Sequence, residues 1–249
     1  MNRIYLTVAY DGTAYHGSAL QTGQPETIEA YLNRAVKGAT GTESEVIGAS
    51  RTDAGVHARG AVFVFDADSP IPPDRFVHVL NKLLPRDIRV VESHEVPRDF
   101  HPRQVSARKT YAYRILNASY EDPTRINYTW YVPRDLDLAA MQWAGGYLVG
   151  EHDFTSFCNV DSTAQSHIRT IYGLGVSRRE DEIVITVTGS GFLYNMVRII
   201  AGTLAQIGWE WRPPEAMGEI LAACDRSAAG CTAPPQGLML MGYRFDNEA

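Results

Sequence analysis

The chain has 249 residues, enough for one large domain or two small lobes around a sizeable core. Its 45% hydrophobic and 21% charged residues suit a folded globular protein, and no apolar run reaches bilayer length, which excludes a membrane-spanning class. The formal net charge of −6 argues against a polyanionic partner only on average, because charge acts locally.

Met1-Asn2-Arg3-Ile4-Tyr5-Leu6 goes straight into a strand pattern and lacks the apolar core of a secretory signal, so a cytoplasmic location is expected. Ile4, Leu6 and Val8 alternate with Tyr5, Thr7 and Ala9, a first strand that ends at Asp11-Gly12. After Pro25-Glu26 a helix is expected, with Ile28, Tyr31, Leu32, Ala35 and Val36 on one face and Gly38 or Gly41 at its stop. Two short strands, Val46-Ile47-Gly48-Ala49 and Ala61-Val62-Phe63-Val64-Phe65, flank Asp53. A second helix starts at Pro72-Pro73, buries Phe76, Val79, Leu80 and Leu83, and ends at Pro85; Ile88 to Val96 reads as a strand.

The second half repeats this order loosely. A strand covers Ser106 to Leu116 and a helix Leu138 to Leu148. A hairpin pairs Ile168 to Val176 with Ile183 to Thr188 across Glu180-Asp181, followed by helices at Phe192 to Ile207 and Pro214 to Ala223 and a closing strand at Leu238 to Phe245. Each half reads β-α-β-β-α-β, the ferredoxin-like unit. The expected fold class is therefore α+β: two such lobes, 1–105 and 106–249, sharing a largely antiparallel sheet flanked by helices, with a central cleft. Cys158, Cys224 and Cys231 show no ligand or disulfide spacing and are expected as buried thiols; no metal is implied.

Chemistry concentrates at Arg51-Thr52-Asp53-Ala54-Gly55-Val56-His57, a carboxylate in a Gly-containing loop between the two short strands. An Arg close to that carboxylate favours its charged form, the condition for a nucleophilic Asp. Asp-Ala-Gly is equally ordinary turn chemistry. From Arg98 to Arg114 the chain carries Arg98, Arg103, Arg108, Lys109 and Arg114 against Asp99 alone, and Lys occurs only at 37, 82 and 109. Arg suits phosphate contacts, although biased composition explains an Arg excess as simply. Tyr111 and Tyr113 alternate within that basic strand, where rings either stack on bases or pack in the core. In Gly189-Ser190-Gly191-Phe192-Leu193-Tyr194-Asn195-Met196-Val197-Arg198, one Arg lies among apolar residues, either facing an anion or reaching out to solvent. Gly150 to Phe157, with His152-Asp153, and Ala233 to Leu238 look like loop and packing chemistry. A hydrolase using Asp53 and His57 needs an oriented His–carboxylate pair that nothing else in the sequence suggests.

Taken together, Tyr10-Asp11-Gly12, the Asp53 loop, Asn81 to Ile88, Phe100-His101, Lys109-Thr110-Tyr111, His152-Asp153-Phe154, Arg169-Thr170-Ile171, Phe192 to Arg198, Ala233-Pro234 and Gly237-Leu238 closely resemble the TruA family of tRNA pseudouridine synthases. The resemblance implies the pseudouridine synthase fold, a curved antiparallel-rich sheet with helices. It implies a homodimer that acts without cofactor or metal on the tRNA anticodon arm, isomerising uridine at positions 38, 39 and 40. By that resemblance Asp53 is the nucleophile, Tyr111 stacks on the target base, Arg51 helps hold the flipped nucleotide, and Arg198 is the basic partner of Asp53. The chain departs from the family's Gly-Trp-Gln-x-Gln at Gly17-Ser18-Ala19-Leu20-Gln21, with Ser50 and Ala61 as further departures. That altered loop motivates an alternative, a catalytically silent RNA-binding homologue.

Overall fold

The computed structural model describes residues 1–245. They form two compact units: Met1–Ala107 together with the strand residues from Leu240, and Arg108–Met239. The closing strand from Leu240 thus belongs to the first unit, not to the second, where a single cut at 105 would leave it.

The first unit runs β1 (Asn2–Tyr10), α1 (Ile28–Thr40), β2 (Ile47–Gly48), β3 (His57–Ala67), a 3₁₀ turn at Pro73–Arg75, α2 (Phe76–Leu83) and β4 (Ile88–Val96). β1 lies between β4 and β3, antiparallel to both, and β2 pairs with β3. The register sets Ile4 opposite Phe65 and Leu6 opposite Phe63, all fully buried. Phe65 meets Phe76 of α2 edge-on at 5.2 Å, so this is the helix-covered face. Burial of each such side chain contributes roughly 1.5–3 kcal/mol. On the opposite face Tyr5, Val62, Val64, Ala49, Ala107 and Phe245 form a second cluster. β3 is therefore apolar on both faces, which explains its unbroken Ala61-Val62-Phe63-Val64-Phe65 run.

α1 starts where Thr27 Oγ1 accepts the Ala30 amide (3.3 Å) and stops at Gly41, in the left-handed region at φ 76°. Its stripe buries Ile28, Leu32, Ala35 and Val36 as expected, and also Glu29. α2 departs from expectation at Leu83, which is 51% exposed; the chain leaves the helix there and turns Leu84 inward instead.

Arg3 and Asp66 are cross-strand partners on β1 and β3, joined by two bonds, Nε to Oδ1 at 2.8 Å and Nη2 to Oδ2 at 2.7 Å. The Arg3 hydrogen bond holds the Asp66 carboxyl below its ordinary range. A depressed carboxylate stabilises the fold above its unfolded-state pKa, and that contribution is lost as pH falls through the folded-state value. Asp66→Asn is thus expected to lower the melting midpoint by about 1–3 °C at neutral pH, a difference that closes in acid. A gap constant with pH would show that ionisation of Asp66 plays no part.

The second unit runs β5 (Ala107–Leu116), β6 (Trp130–Tyr131), α3 (Leu138–Gly146), β7 (Gly150–Asp153), β8 (Ile168–Arg179), β9 (Glu182–Gly189), α4 (Met196–Gly208) and α5 (Ala216–Ala223), and the chain then enters β10 (Leu238–Phe245). β5, β9, β8 and β7 pair antiparallel in that order, while β6 adds to β5 in parallel. β6 and β7 are additions to the expected order: one is a two-residue pairing and the other a polar Gly-Glu-His-Asp segment, neither long enough to carry an alternating pattern. The hairpin turns at Glu180, at φ 53°.

α4 is buried nearly all round, from Met196 to Gly208. It begins at Met196 rather than Phe192, because Asn195 takes a left-handed conformation (φ 60°) that breaks the helix before its first turn. The last short helix likewise begins at Ala216, not Pro214. Of the three thiols only Cys158 is buried. Cys224 lies exposed at the left-handed end of α5, and Cys231 is exposed in a segment whose backbone, at the Cys231 carbonyl, packs on α4 at Gly202. Both units are α+β with mostly antiparallel strands and helices against them. No helix among the described residues is long and apolar enough to cross a membrane.

Candidate active site

In the first unit, β2 hands the chain to residues 49–56 and β3 resumes at His57. Within this loop the Val56 amide donates to the Asp53 carbonyl (3.1 Å), closing a tight turn around Gly55, whose φ of 78° is open to glycine at little cost. The Gly55 amide reaches the Tyr15 carbonyl at 3.4 Å. Asp53 is half-buried and Arg51 exposed, two residues apart on the same loop. His57 is 1% exposed at the foot of the loop, where its Nδ1 accepts the Gly12 amide at 3.0 Å and lies 3.2 Å from Asp11 Oδ1.

The residue before Asp53 is held from three sides. The Thr52 amide donates to Ser18 Oγ (2.8 Å), the Ser18 amide donates to the Thr52 carbonyl (3.0 Å), and Thr52 Oγ1 shares a hydrogen bond with Tyr10 Oη (2.8 Å). Gly17, at φ 93°, permits this approach: a Cβ there would lie 2.7 Å from the Thr52 carbonyl oxygen.

Glu29 supports the same region from α1. Its Oε2 accepts the Leu20 amide at 2.8 Å and its Oε1 the Gly48 amide at 3.2 Å, so one buried carboxylate ties the 17–21 loop to β2. Arg103 Nε donates to the Gly48 carbonyl at 2.8 Å. Burial raises the Glu29 pKa, opposed by the two amides and by the charges of Arg103 and Arg51. Gln at this position keeps one acceptor oxygen but turns an NH₂ toward the other amide. Relief of the buried charge offsets part of that loss, and Glu29→Gln is expected to cost a net of about 1 kcal/mol, read from the guanidinium midpoint. An unchanged midpoint would mean the two amide bonds contribute nothing.

In the second unit Tyr111 and Tyr113 share one face of β5. Tyr113 is fully buried and donates its hydroxyl to the Pro234 carbonyl at 2.8 Å, a core role. Tyr111 is 7% exposed, with the Phe192 ring edge-on at 5.1 Å. Phe192 is free to make this contact because the left-handed Asn195 keeps it out of α4. Arg198, in the first turn of α4, donates Nε to the Ala233 carbonyl (2.7 Å) and Nη1 to Asn195 Oδ1 (2.8 Å), while the Ala233 amide returns to the Arg198 carbonyl (3.1 Å). Two donors on neutral oxygens, Nε on Ala233 and Nη1 on Asn195, help fix the direction of the guanidinium.

The structure thus brings Asp53 and Arg51 together on one loop, and it sets Tyr111 beside Phe192 and Arg198 beside Asn195 and Ala233. Sequence reasoning took Ala233-Pro234 for packing alone, yet their carbonyls orient Arg198 and Tyr113. It also missed Glu29 and Ser18. Glu29 had a signal, a charged residue at the i−3 position from Leu32 and i−7 from Val36, on the apolar stripe of α1. The basic run divides: Arg114 is joined to Glu182 at 2.7 Å, and the Arg108 guanidinium lies 4.6 Å over the Tyr172 ring. In the pair His152-Asp153, Asp153 accepts from the Thr155 amide and hydroxyl at 2.9 and 2.6 Å.

Residues 6–103 and 144–246 match the family model described as tRNA pseudouridine synthase. That match defines the class, an enzyme of the isomerase kind. Among curated relatives, tRNA pseudouridine synthase A of Brevibacillus brevis is 47% identical over 240 residues, covering 96% of this chain and 98% of its own length. The protein of the same name from Thermoanaerobacter sp. is 44% identical over 241 residues (97% and 98%), and that of Halalkalibacterium halodurans 45% over 240 (96% and 91%). The chain belongs to the tRNA pseudouridine synthase A (TruA) family.

Proposed function

We propose that this chain isomerises uridine to pseudouridine at positions 38, 39 and 40 of the tRNA anticodon stem-loop, as a cytoplasmic homodimer, with Asp53 as nucleophile. The observation that carries the reading is the Asp53 loop: a half-buried carboxylate beside Arg51, on a turn whose preceding residue is hydrogen-bonded at its amide, carbonyl and hydroxyl. Family membership supports tRNA as substrate, since the relatives above carry tRNA in their names.

The reaction breaks the bond from N1 to C1′, turns the uracil, and joins C5 to C1′, with C5 giving up a proton and N1 taking one up. An ionised Asp53 serves each of three routes: attack on C1′, addition to C6 of the ring, or removal of a ribose proton to give a glycal. All three require the nucleotide to leave its stack, at a cost of a few kcal/mol. Tyr111 offsets that cost by stacking on the base, and its hydroxyl relays the C5 proton at the end, accepting it while passing its own proton to water. Arg51 holds the flipped nucleotide, and Arg198 keeps the Asp53 carboxylate ionised by supplying the opposing charge.

The positions are tested by incubating unmodified tRNA transcripts with the protein and mapping pseudouridine by sequencing. Pseudouridine confined to 38, 39 and 40 is the expected pattern. Modification elsewhere, with those positions untouched, would overturn the assignment of the anticodon arm.

A further inference from the structure

We propose that Ser18 is a positioning residue for the isomerisation, setting the place of Asp53 by clamping Thr52 through both its amide and its carbonyl; this rests on the role proposed above for Asp53. Ser18 is 1% exposed, so its hydroxyl acts through the protein rather than on substrate. That hydroxyl accepts the Thr52 amide at 2.8 Å, while the Ser18 amide donates at 3.0 Å to the Thr52 carbonyl. The carbonyl belongs to the peptide group that leads into Asp53, so a shift of this bond moves the Asp53 Cα directly.

The clamp has a fixed base. The Leu20 amide, two residues on, is held by Glu29 of α1 at 2.8 Å, and the Glu29 amide itself donates to the Ser18 carbonyl at 2.9 Å. Ser18 is thereby tied to a helix whose core face is buried, and Tyr10 at the end of β1 secures the third group of Thr52, its hydroxyl. A helix, a strand and a loop all converge on the single residue preceding the nucleophile. A nucleophile on a loop depends on such bracing, because an error of about 1 Å in a reacting group can cost on the order of 100-fold in rate. Ala at position 18 removes the acceptor and leaves the buried Thr52 amide unpaired. Thr retains the acceptor.

The test measures kcat and KM for a tRNA transcript with the full chain and its Ser18→Ala, Ser18→Thr and Asp53→Ala variants, after circular dichroism has established that each is folded. Ser18→Ala is expected to lose about 10- to 100-fold in kcat with KM within about twofold, and Ser18→Thr to recover most of that loss. A folded Ser18→Ala enzyme with wild-type kcat, or one changed in KM alone, overturns the proposal, as does a Ser18→Thr enzyme impaired as badly as Ser18→Ala. Should Ser18→Ala not fold, Tyr10→Phe takes its place, with a loss of about threefold or more in kcat expected at unchanged KM; wild-type kcat there overturns the clamp. Turnover surviving in Asp53→Ala counts against the nucleophile, whereas its loss there beside full turnover in Ser18→Ala counts against the clamp alone.

Discussion

Asp53→Asn is expected to lower kcat on tRNA by on the order of 10⁴-fold or more while leaving the dissociation constant for tRNA within about threefold. The amide has the shape of the carboxylate but carries no charge. It can neither attack C1′ or C6 nor remove a ribose proton, so all three routes lose their first step together. Binding survives because affinity for RNA comes mostly from phosphate contacts spread over the molecule, and one side chain on a loop contributes little to them. Filter binding against kcat, measured on the same preparation, separates the two effects. A fall in affinity that accounts for the whole loss of activity would make Asp53 a binding residue.

Tyr111→Phe is the second large effect. The ring, and with it the 5.1 Å edge contact to Phe192, is retained. Base stacking is therefore expected to persist, with KM within about twofold, since stacking uses the π-face. What is lost is the hydroxyl as proton acceptor, a role that contributes typically 10²- to 10⁴-fold in general acid–base catalysis, and kcat is expected to fall within that span. Single-turnover measurement of pseudouridine formation reads this directly. Unchanged turnover would retire the proton-acceptor role and leave Tyr111 as a stacking platform. The neighbouring Tyr113, two residues along the same face, has its hydroxyl hydrogen-bonded to the Pro234 carbonyl.

How far the sequence discloses this molecule depends on the length of the signal. β4 and β10 match their expected bounds because proline-bearing turns punctuate them: β4 lies between Pro85 and Pro97, and β10 opens after Pro234-Pro235-Gln236-Gly237. β6 escaped because two residues carry no period, and the start of α4 was misplaced because nothing in Phe192-Leu193-Tyr194-Asn195 announces a left-handed Asn. Leu83 was expected inside from spacing alone, yet the chain exits α2 at that residue and spacing has no meaning beyond the last turn. In the proposed site, Asp53, Arg51, Tyr111 and Arg198 stand out in the sequence as residue types in telling company. Their supports were not. Ser18, Glu29 and Ala233 act through hydrogen bonds between segments far apart in the chain, and Ala233 does so with its backbone, which every residue type possesses.

The central claim, that Asp53 drives uridine isomerisation on tRNA, is tested most directly by release of tritium from tRNA labelled at uracil C5, with wild type and Asp53→Ala in parallel under single-turnover conditions. Formation of the bond from C5 to C1′ must expel that hydrogen, so wild type is expected to release tritium in proportion to the uridines modified and Asp53→Ala to release none above background. No release by wild type from any tRNA, or equal release by the variant, would contradict the account.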